Sequence, residues 1–388
     1  MAGRHFLQIP GPTPVPDRLL RAMHRAMEDH RSSAFPVLTR SILSRLPQVV
    51  HQTKGEPFVF PATGTAMWEA ALVNTVNPGG RLLGVRFGHF SHLFIQTARS
   101  LGYQVDVIEE PWGDVADPAR IEAALAADTA HEIQGVLLVH NETATGVTCD
   151  VAAVRAAIDR VKHPALLLVD GVSSIASLDF QFDAWGVDCA ITGTQKGFML
   201  PAGLGILYMS EQALARVDGC TMPRAYFDLR PMRTNNAQGF FPSTPALSLL
   251  FGLDEALTML LEEGMDTVAE RHRILASGVR AAVDAWGLRP CAKRAEIASN
   301  SLTAVMVPEG HDARHVIDLA FTRYDISLGS GLSEMAGKLF RIGHLGDTNR
   351  LTLAGALSGV EMALCDAGIP ITLGSGVGAA LQQWRVPA

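Results

Sequence analysis

Short apolar runs alternate with longer segments of helical period from about residue 56 to residue 210. The runs are PFVFPA, RLLGV, YQVDVIE, IQGVLLVH, PALLLVD, VDCAITG and GLGILYM. Strands that are apolar throughout, rather than at alternate positions, are buried on both faces. The intervening segments TAMWEAALVNTV, SHLFIQTARSLG and DVAAVRAAIDRV have the spacing of helices that would cover them. The pattern predicts an α/β domain on a mainly parallel sheet. Residues 245–285 then carry apolar positions three and four apart, which predicts long helices bridging two domains. After WGLRP the order changes to SLTAVMVP, HDARHVIDLAFTRY, ISLGSG and KLFRIGHLG, followed by the helical LTLAGALSGVEMALCDAG. Strands and helices mixed with short connections predict a small α+β domain.

Composition narrows the class of protein. At 388 residues the chain exceeds one ordinary core and fits two domains. With 48% hydrophobic and 18% charged residues and no long polar tract, it has the make-up of a folded protein, not a disordered one. A net charge of -7 without any Lys/Arg cluster excludes a nucleic-acid surface, which needs phosphate-neutralising charge, and leaves small soluble partners as the expectation. Cys149, Cys189, Cys220, Cys291 and Cys365 are widely spaced, odd in number and never in a CxxC pair, which suits a reducing compartment. No stretch approaches the ~18 apolar residues of a spanning helix, and MAGRHFLQIPGPTPVP has no apolar signal core. The ending QQWRVPA lacks the peroxisomal tripeptide, so the expectation is a cytoplasmic protein with no membrane partner.

Chemistry is expected where polar residues interrupt the apolar runs, because open parallel sheets gather ligands at the carboxyl ends of their strands. Four such ends stand out: ATGTA, HNETATG, DGVSS and TGTQKG. Asp170 closes an almost wholly apolar run, where an ionised carboxylate needs a cation or hydrogen bonds. A turn cap is the plain alternative for Asp170, and an exposed loop lysine for Lys196. Gly64 and Thr65, just before AMWEAALV, could offer backbone N–H groups to a phosphate. A lysine, a carboxylate and a phosphate cradle together meet the needs of pyridoxal phosphate.

Across nearly its whole length the chain resembles the class V, fold-type I aminotransferases, in the serine-glyoxylate and alanine-glyoxylate branch. The segments that carry the resemblance are FLQIPGPTPVP, EDHRSSAF, TGTAMWEAALVNT, VHNETATGV, LLLVDGVSSI, WGVDCAITGTQKG, LPAGLG, FFPSTPAL and GKLFRIGHLG. It implies the fold of that class, with a mainly parallel seven-stranded sheet in a large domain over 21–260, an α+β domain over 261–388, and an N-terminal arm over 1–20 that reaches the active site. It also implies pyridoxal 5'-phosphate as cofactor and a homodimer with shared active sites. Lys196 would form the Schiff base, Asp170 would face the ring nitrogen, and Gln195 would serve the phosphate or the lysine loop. Thr63, Gly64 and Thr65 match the phosphate-binding turn, with threonine where relatives usually have serine. Phe90 matches a ring-stacking position, with a core phenylalanine as the alternative; Val172 lies where a small residue packs under the ring. Thr143 matches a hydroxyl near cofactor and substrate. Thr244 and Phe241 match a segment that crosses to the neighbouring subunit's cofactor phosphate. Arg341 matches the anchor of the substrate α-carboxylate, and Gly11 a loop close to the same substrate.

The reaction so implied moves an amino group from serine or alanine to glyoxylate by a ping-pong route, with aspartate as an alternative donor. A cysteine desulfurase or β-lyase is the rival within the fold, but those relatives typically carry histidine where Gln195 stands and need a cysteine on a mobile loop. A catalytically silent binding protein would have lost Lys196, Asp170 or Arg341. GLSEMAGKL is not a phosphate-binding loop, since Leu339 stands where Ser or Thr is required, and the 13 histidines show no zinc spacing, so no metal is expected. Asn141 fits a glycosylation acceptor by chance, and His344 is read as structural.

Overall fold

The computed structural model describes Gly3 and residues 5–385. In chain order its strands are β1 (Phe6–Gln8), β2 (Glu56–Ala62), β3 (Arg81–Arg86), β4 (Gln104–Glu109), β5 (Ile133–Val139), β6 (Asn141–Glu142), β7 (Val147–Thr148) and β8 (Leu166–Asp170). They continue as β9 (Cys189–Gly193), β10 (Gly203–Met209), β11 (Arg289–Pro290), β12 (Leu302–Met306), β13 (Ile326–Ser330) and β14 (Leu339–Gly343).

The seven apolar runs become one seven-stranded sheet in the order β2-β10-β9-β8-β5-β3-β4. Pairing is parallel from β4 through β3, β5 and β8 to β9, while β10 returns antiparallel between β9 and β2. The sheet is therefore mainly parallel, as expected. Its central strand shows why the runs lack alternation: Leu167 and Val169 of β8 enter the core on one face, and Leu166 and Leu168 the core on the other. Helices Gly64–Thr75, His89–Ser100 and Val151–Arg160 occupy the three predicted connecting segments.

The second sheet runs β1-β13-β14-β12-β11. Its unexpected member is β1, which pairs parallel to β13 with Phe6 opposite Ile326. The segment that precedes the large sheet in sequence is thus an edge of the small one. Helices Leu247–Glu263 and Met265–Ala285 meet at Gly264, whose φ of +83° favours glycine. Leu250, Leu253 and Leu257 of the first join a core of the large sheet, and Leu275, Val279 and Val283 of the second join that of the small one. Helices Phe35–Val49 and Leu229–Gln238 and the hairpin β6–β7 add to what the apolar pattern predicted.

Candidate active site

The carboxyl ends of β2, β5, β8 and β9 lie on one edge of the large sheet, where the small sheet meets it. Asp170, the last residue of β8, stands opposite Ile191 of β9, and the chain reaches Lys196 in the turn that follows β9. That turn lies flat on the segment after β8 because Gly197 has no side chain: a Cβ there would come within 2.5 Å of the Ile175 carbonyl oxygen. The Lys196 Nζ donates to the Pro10 carbonyl, and Gly11, at a φ of +107°, presses so close that a Cβ would sit 2.4 Å from the lysine side chain. Thr13 completes the lid by donating its N–H to Gln195 O and its hydroxyl to Lys196 O.

Burial governs the charges. It pushes the Lys196 amine down to about 8, helped by Arg341 and opposed by Asp170. It pushes the Asp170 carboxyl up to about 7, against hydrogen bonds from Val172 N and Trp68 Nε1 at 2.8 and 3.1 Å. Arg341, in the middle of β14 and 8% exposed, is drawn down to about 10 by desolvation. It donates through Nε to Ser330 O at 2.9 Å and through Nη1 to Thr143 O at 3.1 Å. Among the described residues its Nη2 takes no protein acceptor.

Around these groups Thr143 donates to Ser173 Oγ, which donates in turn to Asn141 O. Glu142 is fully buried and accepts from the N–H groups of Phe90, Ser91 and Ala144, and burial raises its carboxyl above the usual range. Thr63 precedes helix Gly64–Thr75 in extended conformation without capping it, and the hydroxyl-bearing Thr63 and Thr65 are exposed there. A Cβ on Gly64 would meet Val172 at 2.6 Å, so the helix start and the segment after β8 are in contact. Gln195 keeps its Oε1 buried without a partner.

Lys196, Asp170, Arg341, Thr143, Val172, Gln195, Gly64 and Gly11 are thus brought to one place, with Phe90 tied to it through Glu142. Phe241 and Thr244 are not: Phe241 packs beside Phe35, and Thr244 is exposed on the loop before helix Leu247–Glu263. Reading the sequence missed Trp68, Glu142, Ser173 and Ser330. Glu142 and Ser173 lie inside the polar strand-end segments already singled out and Trp68 two residues beyond one, but only folding shows which way their side chains turn.

A model of the family described as aminotransferase class-V matches residues 6–354. The chain belongs to the class-V aminotransferases. It is 53% identical to the serine--glyoxylate aminotransferase of Methylorubrum extorquens, over 99% of this chain and 96% of that protein. It is 48% identical to the L-aspartate--glyoxylate aminotransferase of Paracoccus denitrificans, over 99% and 97%. Among solved structures, the ureidoglycine-glyoxylate aminotransferase of Bacillus subtilis superposes with a TM-score of 0.91 at 27% identity, covering 99% of each chain. As a class-V aminotransferase the chain is a pyridoxal-phosphate-dependent enzyme, and its donor set fits that group. A buried amine, a buried carboxylate short of partners, an orphaned Gln195 Oε1 and an uncapped helix start with two exposed hydroxyls are what a cationic ring and a phosphate would satisfy.

Proposed function

We propose that this aminotransferase moves an amino group from serine, or from alanine, to glyoxylate, yielding glycine and hydroxypyruvate or pyruvate. The observation that carries the reading is the meeting of Arg341 with Lys196 and Asp170 in one buried site: a single desolvated guanidinium suits substrates that share one α-carboxylate. The 53% identity to a serine--glyoxylate enzyme supports the choice of donor and acceptor.

In this reading Thr63, Gly64 and Thr65 hold the phosphate of pyridoxal phosphate. Asp170 faces its ring nitrogen, Phe90 and Val172 its two faces, and Thr143 and Gln195 its polar rim. Phe241 and Thr244 serve the phosphate of a second copy in a homodimer. When bound, the cofactor supplies an electron sink for negative charge at the substrate α-carbon. Arg341 grips the carboxylate of donor and acceptor alike and so fixes the direction of the Cα–H bond. Lys196 Nζ, whose pKa is lowered to about 8 so that its neutral form is within reach near neutral pH, takes the proton from Cα of the donor and returns one to the acceptor. Gly11 and Pro10 close over the amine and limit water around it.

Aspartate is the second reading, favoured by the 48% identity to an aspartate--glyoxylate enzyme. Purified holoenzyme offered serine, alanine and aspartate separately, each with glyoxylate, pyruvate or 2-oxoglutarate, separates the two. The expected order of kcat/KM is serine above alanine above aspartate with glyoxylate as best acceptor. Aspartate in first place would replace the donor, and an acceptor preference for 2-oxoglutarate would overturn the reading.

A further inference from the structure

Two routes lead from Arg341 to the start of helix His89–Ser100. One passes through Thr143 O to Glu142, whose carboxylate holds the N–H groups of Phe90 and Ser91 at 3.2 and 2.9 Å. The other passes through Ser330 O, which accepts from Arg341 Nε, along the loop 331–338 to Ser333, whose hydroxyl lies 2.8 Å from His89 Nδ1. The circuit is closed. Its first half is built of buried groups, and its second half crosses an exposed loop in which Ser333 adopts a φ of +48°. Among the described residues, His89–Ser333 is the sole hydrogen bond between that loop and the large-sheet part of the chain.

We propose that His89 is a positioning residue for substrate binding: by holding Ser333 it fixes loop 331–338 over the site and with it the Ser330 carbonyl that aims Arg341. The inference rests on the reading of Arg341 as carboxylate anchor. A serine in the left-handed region needs compensation from its surroundings, and the imidazole supplies a partner for its hydroxyl. The ring is half-buried beside Arg341 and His92, and burial together with their charges favours its neutral form, able to donate to or accept from a hydroxyl. Without His89 the loop keeps its internal bonds and those to Val307, Ala313 and Leu339 on the small-sheet side, and loses its tie to the large-sheet part. Ser330 stays paired with Phe340 at the end of β13 but loses the anchor on its loop side, so the Nε acceptor is held less firmly and part of the substrate's binding energy goes into ordering the loop.

The test uses holoenzyme and steady-state kinetics with serine and glyoxylate. His89→Ala and Ser333→Ala should each raise KM for both substrates by about fivefold, the loss of one neutral hydrogen bond, with a smaller change in kcat and unchanged cofactor absorbance. The double variant should be no worse than either single one, because both remove the same contact. H89N, which places an amide near the former Nδ1, should recover most of the lost affinity. Additive single effects, H89N no better than H89A, or unchanged KM values would overturn the proposal. Arg341→Ala, measured in parallel, separates the two claims. If it leaves the KM for glyoxylate unchanged, the carboxylate-anchor reading itself fails. If it raises that KM while H89A does not, only the role of His89 fails.

Discussion

Asp170 illustrates how one side chain can weaken the empty protein in order to serve the filled one. Its folded value of about 7 lies above the ordinary 3.8, so its contribution to stability is fully present below the lower value and is lost as pH rises through the upper one. Asp170→Asn should therefore make the cofactor-free protein more stable at pH 8, on the order of a few kcal/mol, and the gain in Tm should vanish near pH 4. Cofactor affinity should fall at the same time; a Tm lower than wild type at pH 8 would show that the carboxylate is better compensated than its two donors suggest. Lys196 gives a second handle. Uptake of pyridoxal phosphate by the cofactor-free protein, followed by visible absorbance, should speed up with pH and level off above about 8, since the neutral amine is the reactive form. Arg341→Ala removes a cause of that lowering and should move the profile to higher pH. Residues of this kind were legible because each interrupts an apolar run. Glu361 marks the limit of that logic: it too is buried among apolar neighbours, but Trp286 Nε1 and the N–H groups of Gly374, Gly376 and Val377 satisfy it, and its place is structural. Nothing in the local sequence separates the two acids, because the difference lies in donors supplied by other elements.

At the scale of elements, the site depends on how closely strand ends and a helix start approach one another. Gly64 opens helix Gly64–Thr75 against Val172, with 2.6 Å available where a methyl would need more than 3.4 Å. Gly64→Ala should raise the pyridoxal phosphate concentration for half-loading by roughly tenfold or more, given the ~1–3 kcal/mol usual for overpacking. The same helix start should lose less in Thr65→Ala, which removes a hydroxyl without shifting the backbone; equal losses would argue against the packing explanation. The strands were readable from the chain because full burial leaves an unbroken apolar signature. The antiparallel course of β10 was not, since burial on both faces is the same whichever way a strand runs. Strand β1 escaped notice for a related reason: three residues, FLQ, are too few to show a period, and their partner β13 lies 320 residues further on.

Across the whole molecule, the one group of expected site residues left out of the single-chain site is Phe241 with Thr244. If they serve the site of a second copy, Thr244→Ala and Lys196→Ala chains should complement: unfolded together and refolded as a mixture, they should regain activity that neither has alone, because a hybrid dimer holds one site with both residues intact. A mixture with no more activity than the sum of its parts would assign Thr244 to its own subunit or to none. Among the described residues no helix is long and apolar enough to cross a membrane, and no His, Cys, Asp and Glu cluster could hold a metal ion. The pairing of β1 with β13 also sets an order of events during synthesis. At ~5–20 residues per second, the 320 residues between the two strands take roughly 15 to 60 s to emerge. For that interval the segment carrying Pro10 and Gly11 has no small sheet to dock on, and over its last 130 residues (326 − 196) Lys196 already stands at the end of a strand that can pair. The cover is made before the amine it covers but gains its sheet only after it, so a nascent chain carries an open amine until β13 arrives.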